Sequence, residues 1–231
     1  MRAVFFDLDG TLVELPEDFA GLFEATLREH GVGSDADSHD LHDYHEQYME
    51  AFFDHLADCH PEPYRAAMAD LRESADLPSN PDALAETYTE REARATAIRP
   101  SAREMLEVLD SGGPDAPDTP DLALGVLTNG GARAQRRKLA HHGIAGQFRA
   151  VVVSGEVGAS KPDSEIFAAA EDAIPADEHV FVADDLERDV VPAQEAGFTG
   201  VYLADEDPPE DAEERANHVV ESLGEVPDVV R

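Results

Sequence analysis

The chain has 231 residues, with 51 Asp+Glu against 17 Lys+Arg and a formal net charge of -34. That length is enough for one domain, or one domain carrying an insert, to bury a proper core, and so negative a surface disfavours a nucleic-acid backbone as partner. Cys59 is the only cysteine, so no intrachain disulfide can form and the chain fits a reducing, cytoplasmic setting; no run approaches the roughly 18 apolar residues of a membrane span.

In chain order, "RAVFF" (2–6) is a near-continuous apolar run of the kind that forms a strand buried on both faces. It is too short for a signal peptide and is cut off by acids. From 14 to 99 the period becomes helical and no convincing strand appears. "PEDFAGLFEATLREHG" opens on Pro16 and closes on Gly31, with Phe19, Leu22, Phe23 and Leu27 on one face. Further amphipathic stretches cover 41–58, 62–75 and 81–98. "SGGPDAPDTPD" (111–121) is a Gly/Pro-rich loop leading back to the sheet.

Strands are then predicted at "LALGVL" (122–127), "AVVV" (150–153), "HVFVA" (179–183) and "GVYLA" (200–204). Helices fall between them at 131–143, 162–174 and 186–197, with Gly143 and Gly197 as C-caps. The acidic stretch 205–214 is a solvated connector, and "HVVESLGEV" after it closes the core. Alternating strands and helices predict an α/β fold: a Rossmann-like parallel sheet, helices on both faces, right-handed crossovers and an inserted all-helical cap. The expected division is a core of 1–13 and 100–231 with a cap of 14–99.

Of the 17 basic residues only Lys138 and Lys161 are lysine. With this acidity, the composition resembles proteins of extreme halophiles, in which salt at about 1 M shortens the Debye length to about 3 Å and quenches self-repulsion.

In open parallel sheets ligands bind beyond the carboxyl ends of the strands. Those ends carry Asp7 and Asp9, then Thr128 and Asn129, then Ser154 with Lys161 beyond a Gly-containing loop, then Asp184, Asp185 and Asp189. Alone, Asp-x-Asp-Gly-Thr also has the simpler reading of a turn or helix cap. Together, so many carboxylates in one crevice repel one another unless a cation sits among them, and an oxygen-only set suits Mg²⁺. Lys161 is suited to hold a carboxylate and a phosphoryl oxygen together.

The ordered segments "DLDGT", "LTNG", "SKP" and "VADDLERD", wrapped around a helical insert, resemble the haloacid dehalogenase-like (HAD) hydrolase superfamily. The resemblance implies Mg²⁺-dependent hydrolysis of a small phosphomonoester through an aspartyl-phosphate. Asp7 would be the nucleophile and Asp9 the general acid and base. Thr128, Asn129 and Lys161 would hold the phosphoryl group. The metal would be held by Asp7, the backbone carbonyl of Asp9, and Asp184, with Asp189 orienting its waters. Asp185 either replaces Asp189 or begins the next helix. Ala183 and Arg188 depart from the glycine and small polar residue common in the family, which bears on loop geometry only. Dehalogenases of this fold have no use for an acid two residues after the nucleophile, so Asp9 favours a phosphatase. The alternatives are a dehalogenase, a phosphomutase, or a binding module without catalysis. By the same resemblance the insert selects the leaving group, with hinges near 13–16 and 99–101.

Other signals have simpler readings. His39, His42 and His45 belong to a solvated helical face rather than a metal site. Arg136, Arg137 and Lys138 offset acids on a helix surface, with a phosphate role only if they point at the crevice. Tyr44, Tyr48, Phe52 and Phe53 pack the insert, with substrate contact by one of them as the alternative. His141 and His142 sit at a helix C-terminus, where positive charge is favourable.

Overall fold

The computed structural model describes residues 1–32, 38–110, 122–204 and 208–230. The loop expected over 111–121 and the start of the acidic connector lie outside them. The first strand, β1 (Arg2–Phe6), is followed by a two-residue strand β2 (Val13–Glu14) and four helices: α1 (Phe19–Glu29), α2 (Ser38–Ala57), α3 (Pro63–Ser74) and α4 (Pro81–Ala95). Strand β3 (Ala97–Ile98) and helix α5 (Ala102–Asp110) lead to β4 (Leu122–Thr128), α6 (Ala132–His141), β5 (Ala150–Val153), the single turn α7 (Ser154–Val157) and α8 (Ser164–Ala173). Then come β6 (Glu178–Ala183), a π-helical turn at Leu186–Val190, α9 (Val191–Glu195), β7 (Thr199–Leu203), α10 (Ala212–Arg215), β8 (His218–Val220) and α11 (Val226–Val230).

The sheet runs β5-β4-β1-β6-β7-β8 with every pairing parallel. The chain winds outward from β1 to β5, then returns beside β1 as β6 and winds the other way. That reversal makes β1 and its neighbours the topological switch point, where such sheets bind ligands. Side chains alternate along β1, so Val4 and Phe6 join the core under α5, while Ala3 and Phe5 join the core under α8. Burial on both faces is why these strands read as unbroken apolar runs.

The four helices after β2 share a core of their own, in which Phe23 and Leu27 of α1 meet Tyr48 of α2, Met68 of α3 and Tyr88 of α4. Helix α1 begins at Phe19 rather than Pro16, because the Asp18 side chain accepts from Gly21 N and caps it there. Both connections to the sheet pass through an antiparallel ribbon absent from the sequence reading, with Val13 opposite Ile98 and Glu14 opposite Ala97. Two residues per strand carry too little pattern to read.

The closing segment does complete the core through Val220, Leu223 and Val226, and its "HVV" forms the edge strand β8. Two further readings need correction. The helix expected over 186–197 divides into the π-helical turn and short α9, because Pro192 supplies no N–H to continue the ladder. His142 is buried against Thr96 rather than charged at a helix end. Gly143 (φ 67°) and Gly197 (φ 97°) do terminate their helices. No helix among the described residues is long and apolar enough to cross a membrane.

Candidate active site

Asp7 follows directly on β1, and its N–H donates to Val182 O of β6, which carries the chain to the carboxyl edge of the sheet. From there the backbone turns at Gly10 with φ 92°. A Cβ at that position would stand 2.2 Å from Asp184 Oδ2, so only glycine lets the two loops meet. Thr11 completes the junction: its buried hydroxyl donates to Asp184 Oδ1 at 2.7 Å and accepts from Asp184 N at 3.1 Å.

Lys161 Nζ donates to Asp7 Oδ1 at 2.8 Å and to Asp189 Oδ2 at 3.0 Å, and it lies over the Phe181 ring. The loop that delivers it is tied to β4 by Asn129, whose side chain donates to Lys161 O at 3.0 Å and accepts from Lys161 N at 2.9 Å. Ser154 Oγ accepts from Gly130 N at 2.9 Å and fixes the neighbouring turn. Thr128, fully buried, accepts from Gln135 Nε2 at 2.8 Å.

Asp7, Asp184 and Asp189 each bring a carboxylate oxygen within 4.8 Å of the others, and they are the one such metal-capable group among the described residues. Burial pushes Asp7 up to about 6 against the pull of Lys161, and burial likewise raises Asp184 and Asp189. Burial alone would lower Lys161, but Asp7 and Asp189 raise it above the ordinary lysine value. An all-oxygen cluster whose members resist ionisation is the setting that a hard divalent cation relieves, so these residues fit Mg²⁺. Asp185 lies apart from the cluster: its Oδ1 caps the π-helical turn by accepting from the N–H groups of Glu187 and Arg188. Arg188 pairs with both Asp185 and Asp189.

Asp9 faces another environment. Its carboxylate accepts from Lys138 Nζ at 2.9 and 3.0 Å and from Gln135 Nε2 at 2.8 Å. Lys138, only 2% exposed, also pairs with Glu92 of α4 at 3.0 Å. Its pKa is raised because Asp9 and Glu92 together outweigh burial. The basic run therefore splits, correcting the surface reading: Arg136 pairs with Glu156, Arg137 with Glu86 and Thr89, and Lys138 points into the crevice.

Sequence reasoning passed over Gln135, Lys138, Glu92 and Thr11 as site residues. One signal was present for Lys138, since both lysines of an otherwise arginine-based chain lie at this edge. Of the histidines set aside, His45 packs against Phe23 in a tilted ring contact and exposed His42 reaches toward Glu46, so the two face different neighbours. The side chain of His39 lies outside the described residues. Tyr48 and Phe52 pack the insert as expected, whereas Phe53 is 57% exposed.

Residues 1–197 match the family model of haloacid dehalogenase-like hydrolases, and the chain belongs to that family. A phosphoserine phosphatase of Thermus thermophilus is 35% identical over 158 residues, covering 68% of this chain and 60% of that protein. A ribulose-1,5-bisphosphate 5-phosphatase of Halopiger xanaduensis is 28% identical over 99% of this chain and 98% of its own length. Among solved structures, a 2-haloacid dehalogenase of Pseudomonas syringae superposes with a TM-score of 0.68 at 22% identity, covering 99% of this chain and 97% of that one. The fold is thus shared by phosphatases and dehalogenases, and the choice between them rests on site residues.

Proposed function

We propose that this chain is a Mg²⁺-dependent phosphomonoester hydrolase that works through an aspartyl-phosphate on Asp7. The observation that carries the reading is the separation of the two aspartates of one turn: Asp7 sits with Lys161 and the acid cluster, Asp9 with Lys138 and Gln135. Phosphatase relatives support the same choice.

In this reading an Asp7 carboxylate oxygen attacks phosphorus and the bond to the leaving oxygen breaks, while Asp9 delivers a proton to that oxygen. Asp9 then takes a proton from a water that attacks the phosphoryl group, and Asp7 is released. Lys138 holds the Asp9 carboxylate that remains after the first transfer. Lys161 keeps Asp7 oriented and faces the phosphoryl oxygens, and the Thr128 hydroxyl with the N–H groups after it serves those oxygens too. Asp7, Asp184 and Asp189 would hold the cation, together with the Asp9 carbonyl that the resemblance implies; when bound it supplies positive charge to the acids and the phosphoryl group. The helices of 14–99 act as the cap over this edge, with the β2–β3 ribbon as its hinge.

The test is hydrolysis of p-nitrophenyl phosphate in molar KCl. Turnover that requires Mg²⁺ and is lost in Asp7→Asn is the expected result. Full turnover in Asp7→Asn would remove Asp7 from its role. Release of halide from a 2-haloacid, without ester hydrolysis, would replace the phosphatase reading with a dehalogenase.

A further inference from the structure

Beside Asp9 and Asn129 a cavity of about 270 Å³ opens between the four-helix insert and the sheet edge. Its walls are largely hydrocarbon and aromatic: Tyr64 and Tyr88 from α3 and α4, Phe52 and Leu56 from α2, with Phe53 and Leu15 at its rim. Phe53 and Leu15 are 57% and 46% exposed, among the few large apolar side chains of this charge-rich chain left in water. The one cation among the described lining residues is Lys138, and its ammonium is already held by Asp9 and Glu92. Two buried polar atoms on the wall lack any hydrogen-bond partner, Tyr48 Oη and Glu92 Oε2.

A leaving group bearing a second phosphate or a carboxylate would meet no free positive charge here and would face Glu92. Its desolvation would go uncompensated. An apolar body would instead gain burial against the rings, and one neutral polar substituent could accept from Tyr48 or donate to Glu92. Resting on the phosphatase reading above, we propose that the substrates are phosphomonoesters of compact aromatic or apolar alcohols rather than of anionic metabolites. The volume accommodates about one ring with a short substituent.

The experiment compares kcat/KM for benzyl phosphate, ethyl phosphate, O-phosphoserine and 2-phosphoglycolate with Mg²⁺ in molar KCl. All four release an aliphatic alcohol, whose oxygen Asp9 protonates, rather than an acidic phenol, so large differences report the pocket. Benzyl phosphate should exceed ethyl phosphate by about tenfold or more, and both anionic esters should fall below ethyl phosphate. Phe53→Ser, at an exposed position, should lower the benzyl-to-ethyl ratio with the melting temperature unchanged. Equal rates for benzyl and ethyl phosphate, or a preference for either anionic ester, would overturn this inference and leave the phosphatase reading intact. Hydrolysis of none of them while p-nitrophenyl phosphate is turned over would overturn this inference alone; no turnover of any ester by folded protein would overturn both.

Discussion

Lys138 stands between Asp9 and Glu92, so removing its ammonium leaves two carboxylates facing each other in a buried space. Lys138→Met should cost about 3–5 kcal/mol in denaturant unfolding, and adding Glu92→Leu should recover part of it. Recovery fails if Lys138 is held mainly by Asp9. The same single variant should lower kcat by about a hundredfold with little change in KM, because Asp9 loses the partner that holds its carboxylate. Gly10→Ala is a second residue-scale prediction. Its Cβ would collide with Asp184 at 2.2 Å and the turn would have to hold an L-residue at φ 92°. A loss of about 1–3 kcal/mol and weaker Mg²⁺ binding by calorimetry are expected. At this scale the sequence carried the strand-end residues well, because each lies immediately past an apolar run. It did not carry Glu92, whose helix-face position reads like any solvated acid until α4 packs against α6.

The elements were legible where the period ran long. Each of the five predicted strands matches its apolar run to within one residue at either end, and the insert's helices follow their apolar stripes. Elements of two or three residues, β2, β3 and β8, escaped because alternation needs more length to show. The junction between α4 and α6 yields a pH prediction. Thr96 Oγ1 donates to Ala93 O, which makes His142 Nε2 the donor in the 2.8 Å contact between them. Burial lowers the pKa of His142 below 6.5, and the neighbouring charges His141 and Arg103 act in the same direction. As pH falls through 6.5 the unfolded chain takes up a proton that the folded chain refuses, so stability present above 6.5 is lost on acidification. His45 shifts the same way through burial. Melting curves across this range should show a weaker pH dependence in His142→Gln; an unchanged slope would remove His142 from the account.

For the whole molecule the governing quantity is the net charge of -34. Repulsion among exposed acids opposes compaction at low salt and is screened in molar KCl. The melting temperature is therefore predicted to rise by roughly 10 °C from dilute buffer to molar KCl, equivalent to a few kcal/mol for a chain of this size. Composition alone carries that expectation, whereas the apolar cavity needed α2, α3 and α4 to be folded together. In the proposed mechanism Asp7 is the group that receives phosphorus. Acid-quenching the enzyme during turnover and mapping its peptides by mass spectrometry tests this most directly. The account predicts one phosphoryl group on the N-terminal peptide, at Asp7, formed only with Mg²⁺ present. Turnover with that peptide unmodified and the phosphoryl group on another residue would contradict it.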